Sequence, residues 1–318
     1  MRELLRDYPE GVPTDTLLAR IRGRRSFLVA AWDSLLLAAE PLDELPPAPW
    51  RPDRDHEGGG VWRALQREYV WVFRWMNEPL RVVTAPFFVL AELRTVALCL
   101  RSLAGGREGT PELLRDSLLN RGIREALLTS PTADRAVRRL APLLSPHAPS
   151  CAGLGELLQR EGYGALDAGL RDAFLEGLAG FRLHPVLGRF IAHTIDGCNL
   201  VAVAKGIRWR SAGRPRLLPG GGIPLPQLEE LSDRHDLAGV ARRAALLGGR
   251  WGKEIPGEVE LAVLHSQYLA VRGMAREPSG VGAIVDYLWR CRNEARTIGL
   301  FSRLATVGPA AVEAEIVS

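Results

Sequence analysis

Apolar positions in this chain recur every three or four residues and rarely every second one. The segment near the C-terminal end shows it best. Ile284, Leu288, Cys291, Ala295, Ile298, Phe301 and Ala305 form one stripe down a helix. The same spacing runs through Phe27, Leu28, Trp32, Leu35 and Leu36, and again through Trp62, Leu65, Tyr69, Val72, Phe73 and Met76. It predicts helices within 14–40 and over 61–77, and further ones near 111–119, 132–144, 153–160, 166–178 and 186–209. Thr14 or Asp15 is placed to cap the first helix. Pro86 is placed to open the helix that ends at Gly105–Gly106. Strand-like alternation is scarce, so the expected fold class is all-α.

Two stretches interrupt the helical pattern. Pro41–Gly60 is rich in proline, glycine and charge and reads as a loop or linker. Residues 210–226, RSAGRPRLLPGGGIPLP, are too broken by proline and glycine for either regular element. The glycine triplets Gly58–Gly60 and Gly220–Gly222 read as flexible turns, since neither has the strand–loop–helix context that cradles phosphate.

Superimposed on the helices is a longer repeat. An acid is followed by a small polar residue three on, an apolar residue four on and a base nine on, three times, about a hundred residues apart. The copies are Glu92, Thr95, Val96 and Arg101; Asp196, Asn199, Leu200 and Lys205; Glu294, Thr297, Ile298 and Arg303. Each base is followed by a glycine break, at Gly105–Gly106, Gly213 and Gly308. Each acid has a helical aromatic upstream: Tyr69, Phe174 or Tyr268. The pattern implies three related helical units in a pseudo-threefold arrangement, with bounds near 1–106, 107–213 and 214–318. On an ideal helix the base lies opposite the acid, so the two are not an ion pair, whereas the residues three and four on share the acid's face. Arg290 and His193 are the nearest candidate partners on the same helices. The acids read as structural caps or polar locks between helices.

Composition narrows the functional classes. Net charge is +4 and the pI about 9.1, and nearly all the cations are arginine; Lys205 and Lys253 are the two lysines. Such a modest charge does not demand nucleic acid. The densest basic stretch, 205–216, holds Lys205, Arg208, Arg210, Arg214 and Arg216 around Trp209, and is a candidate subunit-docking edge. Cys99, Cys151, Cys198 and Cys291 form no CxxC pair and read as buried free thiols. The most apolar stretch, Val82–Leu100, is interrupted by Glu92 and Arg94, so no transmembrane span is expected, and the N-terminus lacks a secretory h-region.

Catalytic signatures are missing. There is no P-loop, HExxH, GxSxG or GxGxxG after a strand. The histidines at 56, 147, 184, 193, 235 and 265 do not fall at metal-ligand spacing. The clusters around His56 and His235 read as solvated turns or caps. No catalytic residue, cofactor or metal is therefore expected.

Three segments carry a resemblance. ARIRGRRSFL at Ala19–Leu28, TIDGCNLVAVAKGIRWR around Asp196 and Asn199, and GVGAIVDYLWRCRNEARTIGLFSRLATVG with Glu294, Arg296 and Ile298 are similar to the C-type central-stalk subunits of the V/A-type ATPases and ATP synthases, the d-type subunits of eukaryotic vacuolar pumps. Glu92, Thr95 and Thr297 stand where that family tends to Asp, Asn and Asn, which marks a divergent member. The resemblance implies a non-catalytic, funnel-like socket of the central stalk, peripheral to the membrane on its cytoplasmic face. It would join the rotor ring to the shaft and transmit torque for coupled proton or sodium transport. The alternative class is a soluble helical-repeat adaptor that binds peptide or RNA through a concave basic or aromatic face.

Overall fold

The structure is a computed structural model that describes residues 1–29, 32, 35, 45, 48, 60–106, 109–210, 213–247 and 259–301. Among the described residues the regular structure is helical apart from one isolated bridge between Leu5 and Leu119. In chain order the helices are α1 (Thr14–Arg25), α2 (Gly60–Trp75), α3 (Glu78–Ala104), α4 (Thr110–Arg115), α5 (Arg121–Thr129), α6 (Ala133–Leu144), α7 (Leu154–Glu161), α8 (Tyr163–Ala179), α9 (Pro185–Arg208), α10 (Leu225–Asp233), α11 (Leu237–Leu247), α12 (Val259–Met274) and α13 (Val281–Phe301). The all-α class follows directly from the three- and four-residue spacing.

The local starts and stops differ from the sequence expectation in instructive ways. The helix bearing Glu92 begins at Glu78, a full two turns before Pro86, which lies inside it. Pro79 falls in the first turn, where its missing N–H has no partner to lose; Pro86 removes one interior bond, which packing of the flanking turns offsets. Neither Thr14 nor Asp15 caps α1. Pro13 holds the N-cap position without a side-chain bond, and Thr14 Oγ1 instead accepts from Asn77 Nδ2 at 3.2 Å. His184 caps α9, its Nδ1 accepting from Val186 N–H.

Two compact units emerge: Met1–Asp7 with Val82–Gly273, and Tyr8–Arg81 with Met274–Ser318. In the first, Leu200, Val203 and Ala204 of α9 pack with Leu228 of α10, Val240 of α11 and Ala262 of α12. Its N-terminal residues pair with the segment before α5. Arg6 N–H donates to Leu118 O at 2.7 Å and Asn120 N–H to Leu4 O at 2.9 Å. In the second unit α13 is buried almost all round, not only along its predicted stripe. Ile284, Leu288, Cys291, Ile298 and Phe301 lie in the core, but so do Asp286, Asn293 and Glu294; Ala305 falls outside the described residues. Its buried Asp286 is paired twice. Arg290 Nε and Arg25 Nη1 meet Asp286 at 2.9 and 3.2 Å, and Tyr287 Oη donates to Glu68 at 2.7 Å.

Contrary to the expectation that no segment would qualify, α3 and α9 are long and apolar enough to cross a membrane by length and composition. Their mean hydropathies reach 1.7 and 1.2, but 67% and 61% of those windows are buried inside the protein, as in core helices. Cys99, Cys151 and Cys291 are buried free thiols; Cys198, expected among them, is half-exposed.

Candidate functional site

The three longest of these helices, α3, α9 and α13, carry the three repeated acids, and each acid is almost wholly buried. Each grips main chain. Glu92 accepts from Leu118 N–H and from the Ser117 hydroxyl, both at 2.7 Å, 26 and 25 residues downstream. Asp196 accepts from Gly222 N–H and Ile223 N–H, both at 2.9 Å, 26 and 27 residues downstream. Glu294 accepts from Val29 N–H at 2.8 Å, from a segment 265 residues earlier in the chain. The first two grips share one feature, a helix-borne carboxylate holding an inter-helix segment about 26 residues downstream: the one between α4 and α5 for Glu92, the one between α9 and α10 for Asp196. The Val29 grip uses the same chemistry on a distant segment. A carboxylate in a dry site needs such donors, because its desolvation is otherwise uncompensated.

The glycine triplet Gly220–Gly222 is the other half of the second grip, not a slack turn. A Cβ on Gly221 would lie 2.2 Å from Asp196 Oδ1, and Gly220, at φ +92, would place one 2.4 Å from Ala179. Only residues without side chains let the main chain close round the carboxylate. The last glycine of the triplet, with Ile223 after it, does hold an anion by backbone N–H groups, but the anion is the chain's own Asp196.

The remaining members of the pattern diverge. Asn199 brackets Leu218, its Nδ2 donating to the carbonyl at 2.9 Å and its Oδ1 accepting from the N–H at 2.7 Å. Thr95 bonds to Glu92 itself, and Thr297 turns back to Asn293 O at 3.0 Å. Arg101 pairs with Asp167 at 3.1 Å, Lys205 lies 5.7 Å from the Trp209 ring, and Arg303 is outside the described residues. His193 meets Ser266 Oγ at 3.2 Å and Arg290 meets Asp286 at 2.9 Å.

Burial pushes the carboxyls of Glu92 and Asp196 above their ordinary values; the N–H and hydroxyl donors pull them back only in part. Folded Glu92 therefore holds its proton more tightly than the unfolded chain does. From its ordinary value of 4.5 up to the raised one, the native state carries more protons, so its stability falls as pH rises through that window. A Glu92→Gln variant lacks this titration. Its urea midpoint should gain on that of the wild type as pH rises above the ordinary value of 4.5, and a constant or shrinking relative midpoint would remove the assignment.

The basic edge at 205–216 is less bare than its sequence suggests. Arg208 meets Glu260 at 3.0 Å, Arg214 meets Asp233 at 2.6 Å and Arg216 meets Glu176 at 2.9 Å. Trp209 is 70% exposed beside them, and Arg210 takes a left-handed φ of +49. Among the described residues no group of three or more His, Cys, Asp or Glu side chains is arranged to hold a metal ion. Asp236 caps α11 by accepting from Gly239 N–H at 2.7 Å; His56 is outside the described residues.

The partners of the acids were not foreseen: Ser117–Leu118, Gly222–Ile223 and Val29. The one available signal was the shared offset of about 26 residues after Glu92 and Asp196, but apart from the Ser117 hydroxyl the donors are main-chain groups with no residue signature.

Residues 61–303 match the ATP synthase (C/AC39) subunit family. The chain belongs to that family. The matched stretch contains all three acids and the segments gripped by Glu92 and Asp196, and leaves Val29 outside. No curated protein matches the chain in a direct comparison. In this C/AC39 member each of the three buried carboxylates accepts hydrogen bonds from main-chain N–H groups.

Proposed function

We propose that this chain is a non-catalytic central-stalk subunit of a V/A-type rotary ATPase or ATP synthase. It acts as a socket between the shaft and the membrane rotor ring and transmits torque for coupled proton or sodium transport. The observation that carries this reading is the family match over residues 61–303. The grips support it: a torque coupler needs a stiff body, and main chain fixed to long packed helices by buried carboxylates resists deformation. The three units at 1–106, 107–213 and 214–318, in a pseudo-threefold funnel, and a peripheral place on the cytoplasmic face of the membrane belong to the same proposal. So do the structural roles of Glu92, Asp196 and Glu294 with their neighbours Thr95, Asn199 and Thr297.

The chain should copurify with the rotor ring and shaft from native membranes. Its deletion should uncouple ATP turnover from ion movement while the soluble head still hydrolyses ATP. Intact coupled pumping after deletion, with no rotor component recovered alongside the protein, would overturn the proposal. The 205–216 edge is one candidate contact. Arg208, Arg214 and Arg216 already face carboxylates, so its salt-sensitive contribution should come from Lys205 and Arg210 and weaken over a screening length of about 8 Å at physiological salt. The purified chain should neither hydrolyse ATP nor retain zinc.

A further inference from the structure

A second cationic surface lies in the unit formed by Tyr8–Arg81 and the C-terminal segment, and none of the grips uses it. Arg20 and Arg24, one turn apart on α1, lie over the indoles of Trp75 and Trp71 on α2, with Cζ 3.9 and 3.8 Å from the ring centroids. Matching four-residue steps in opposite directions run the two helices antiparallel along this face. Arg67 and Arg74 share the α2 face with the two tryptophans, at the i, i+4, i+7, i+8 spacing, and both are exposed. Arg24 is fixed further by Glu68, at 2.6 Å, whose other oxygen accepts from Tyr287. Among the described residues Arg20, Arg67 and Arg74 form no ion pair with a carboxylate, unlike the arginines of the 205–216 edge.

We propose that this Arg–Trp face docks a carboxylate-rich helix or extended segment of a partner protein. A guanidinium seated over an indole has lost part of its freedom already, so pairing its remaining N–H groups with a carboxylate carries little further entropic cost. Arginine and tryptophan are also the side chains that dominate protein interfaces. Nucleic acid fits less well, because the indole faces that would stack bases are covered by the protein's own guanidiniums. A lipid surface fits less well, because both indoles are half-buried. The competing occupant is the chain's own stretch 40–57, which holds six Asp and Glu against two Arg.

The test uses the full chain and a fluorescein-labelled synthetic Glu/Ala helical peptide, with binding read by anisotropy at low salt. The combined variant Arg20→Gln, Arg67→Gln, Arg74→Gln should weaken binding by about tenfold or more. Arg138→Gln, Arg160→Gln, Arg171→Gln removes the same charge from arginines that have carboxylate partners, and should shift binding by less than about twofold. The pair Arg67→Gln, Arg74→Gln leaves both stacks intact and should show most of the loss if the fuller variant folds poorly by circular dichroism. Equal loss in both triple variants overturns the proposal. So does tighter binding to a single-stranded oligonucleotide or to phosphatidylglycerol vesicles. Binding that appears only after the acids of 40–57 are changed to their amides assigns the face to the chain itself and also overturns it.

Discussion

Replacing Arg81 with methionine should lower stability by about 3–5 kcal/mol, the upper end of single-substitution effects, reached when a buried hydrogen-bond network is broken. Arg81 is 1% exposed, yet its guanidinium reaches four main-chain carbonyls. Nε donates to Phe73 O at 3.1 Å, Nη1 to Tyr8 O at 2.8 Å, and Nη2 to Pro9 O at 2.7 Å and Arg74 O at 2.8 Å. Phe73 and Arg74 lie in the last turn of α2, whose carbonyls have no intrahelical partner, so Arg81 completes that helix end and ties residues 8–9 to it. Methionine fills much of the volume but removes the donor from all four carbonyls, of which Phe73 O alone keeps a second one, Met76 N–H at 3.3 Å. Lysine keeps the charge, but its compact ammonium cannot reproduce a planar fork, so Arg81→Lys should fall between. Urea unfolding of the intact chain, followed by both circular dichroism and tryptophan fluorescence, measures this, since two units can unfold separately. A methionine variant within about 1 kcal/mol of the wild type would show that water replaces the guanidinium at low cost.

The second large effect is at Asp196. Asp196→Ala leaves the buried N–H of Ile223 unpaired beside a core helix, at about 1–3 kcal/mol, while the N–H of exposed Gly222 turns to water. Gly221→Ala should cost about 1–3 kcal/mol by overpacking, because its Cβ would sit 2.2 Å from the Asp196 carboxylate. The two are coupled. In the Asp196→Ala background the oxygen that the new methyl group would strike is gone, so the second substitution should cost far less than it does alone. Additive losses in the double-mutant cycle would mean that the triplet is constrained by something other than the carboxylate.

Much of the fold was legible because helix formation is read from local spacing. The stripe from Ile284 to Phe301, the break after α3 at Gly105 and the all-α class needed nothing but periodicity. The start of α3 was missed because a proline excludes a helix interior only when nothing else stabilises the flanking turns, and whether something does is a matter of packing. The histidine nearest Asp196 turns to Ser266 of α12 instead, since spacing on one helix says nothing about which neighbouring element lies closer.

The sequence by itself determined the helical class, the positions of Glu92, Asp196 and Glu294 and the segments that resemble the C/AC39 family, because side-chain identity and period are written in it. Tertiary structure decided what those acids hold. Their donors are the N–H groups of Leu118, Gly222, Ile223 and Val29, and the acceptors of Arg81 are four carbonyls. Every residue except proline carries the same N–H and every residue the same carbonyl, so no sequence pattern marks which of them a buried charge will find until the chain has folded around it.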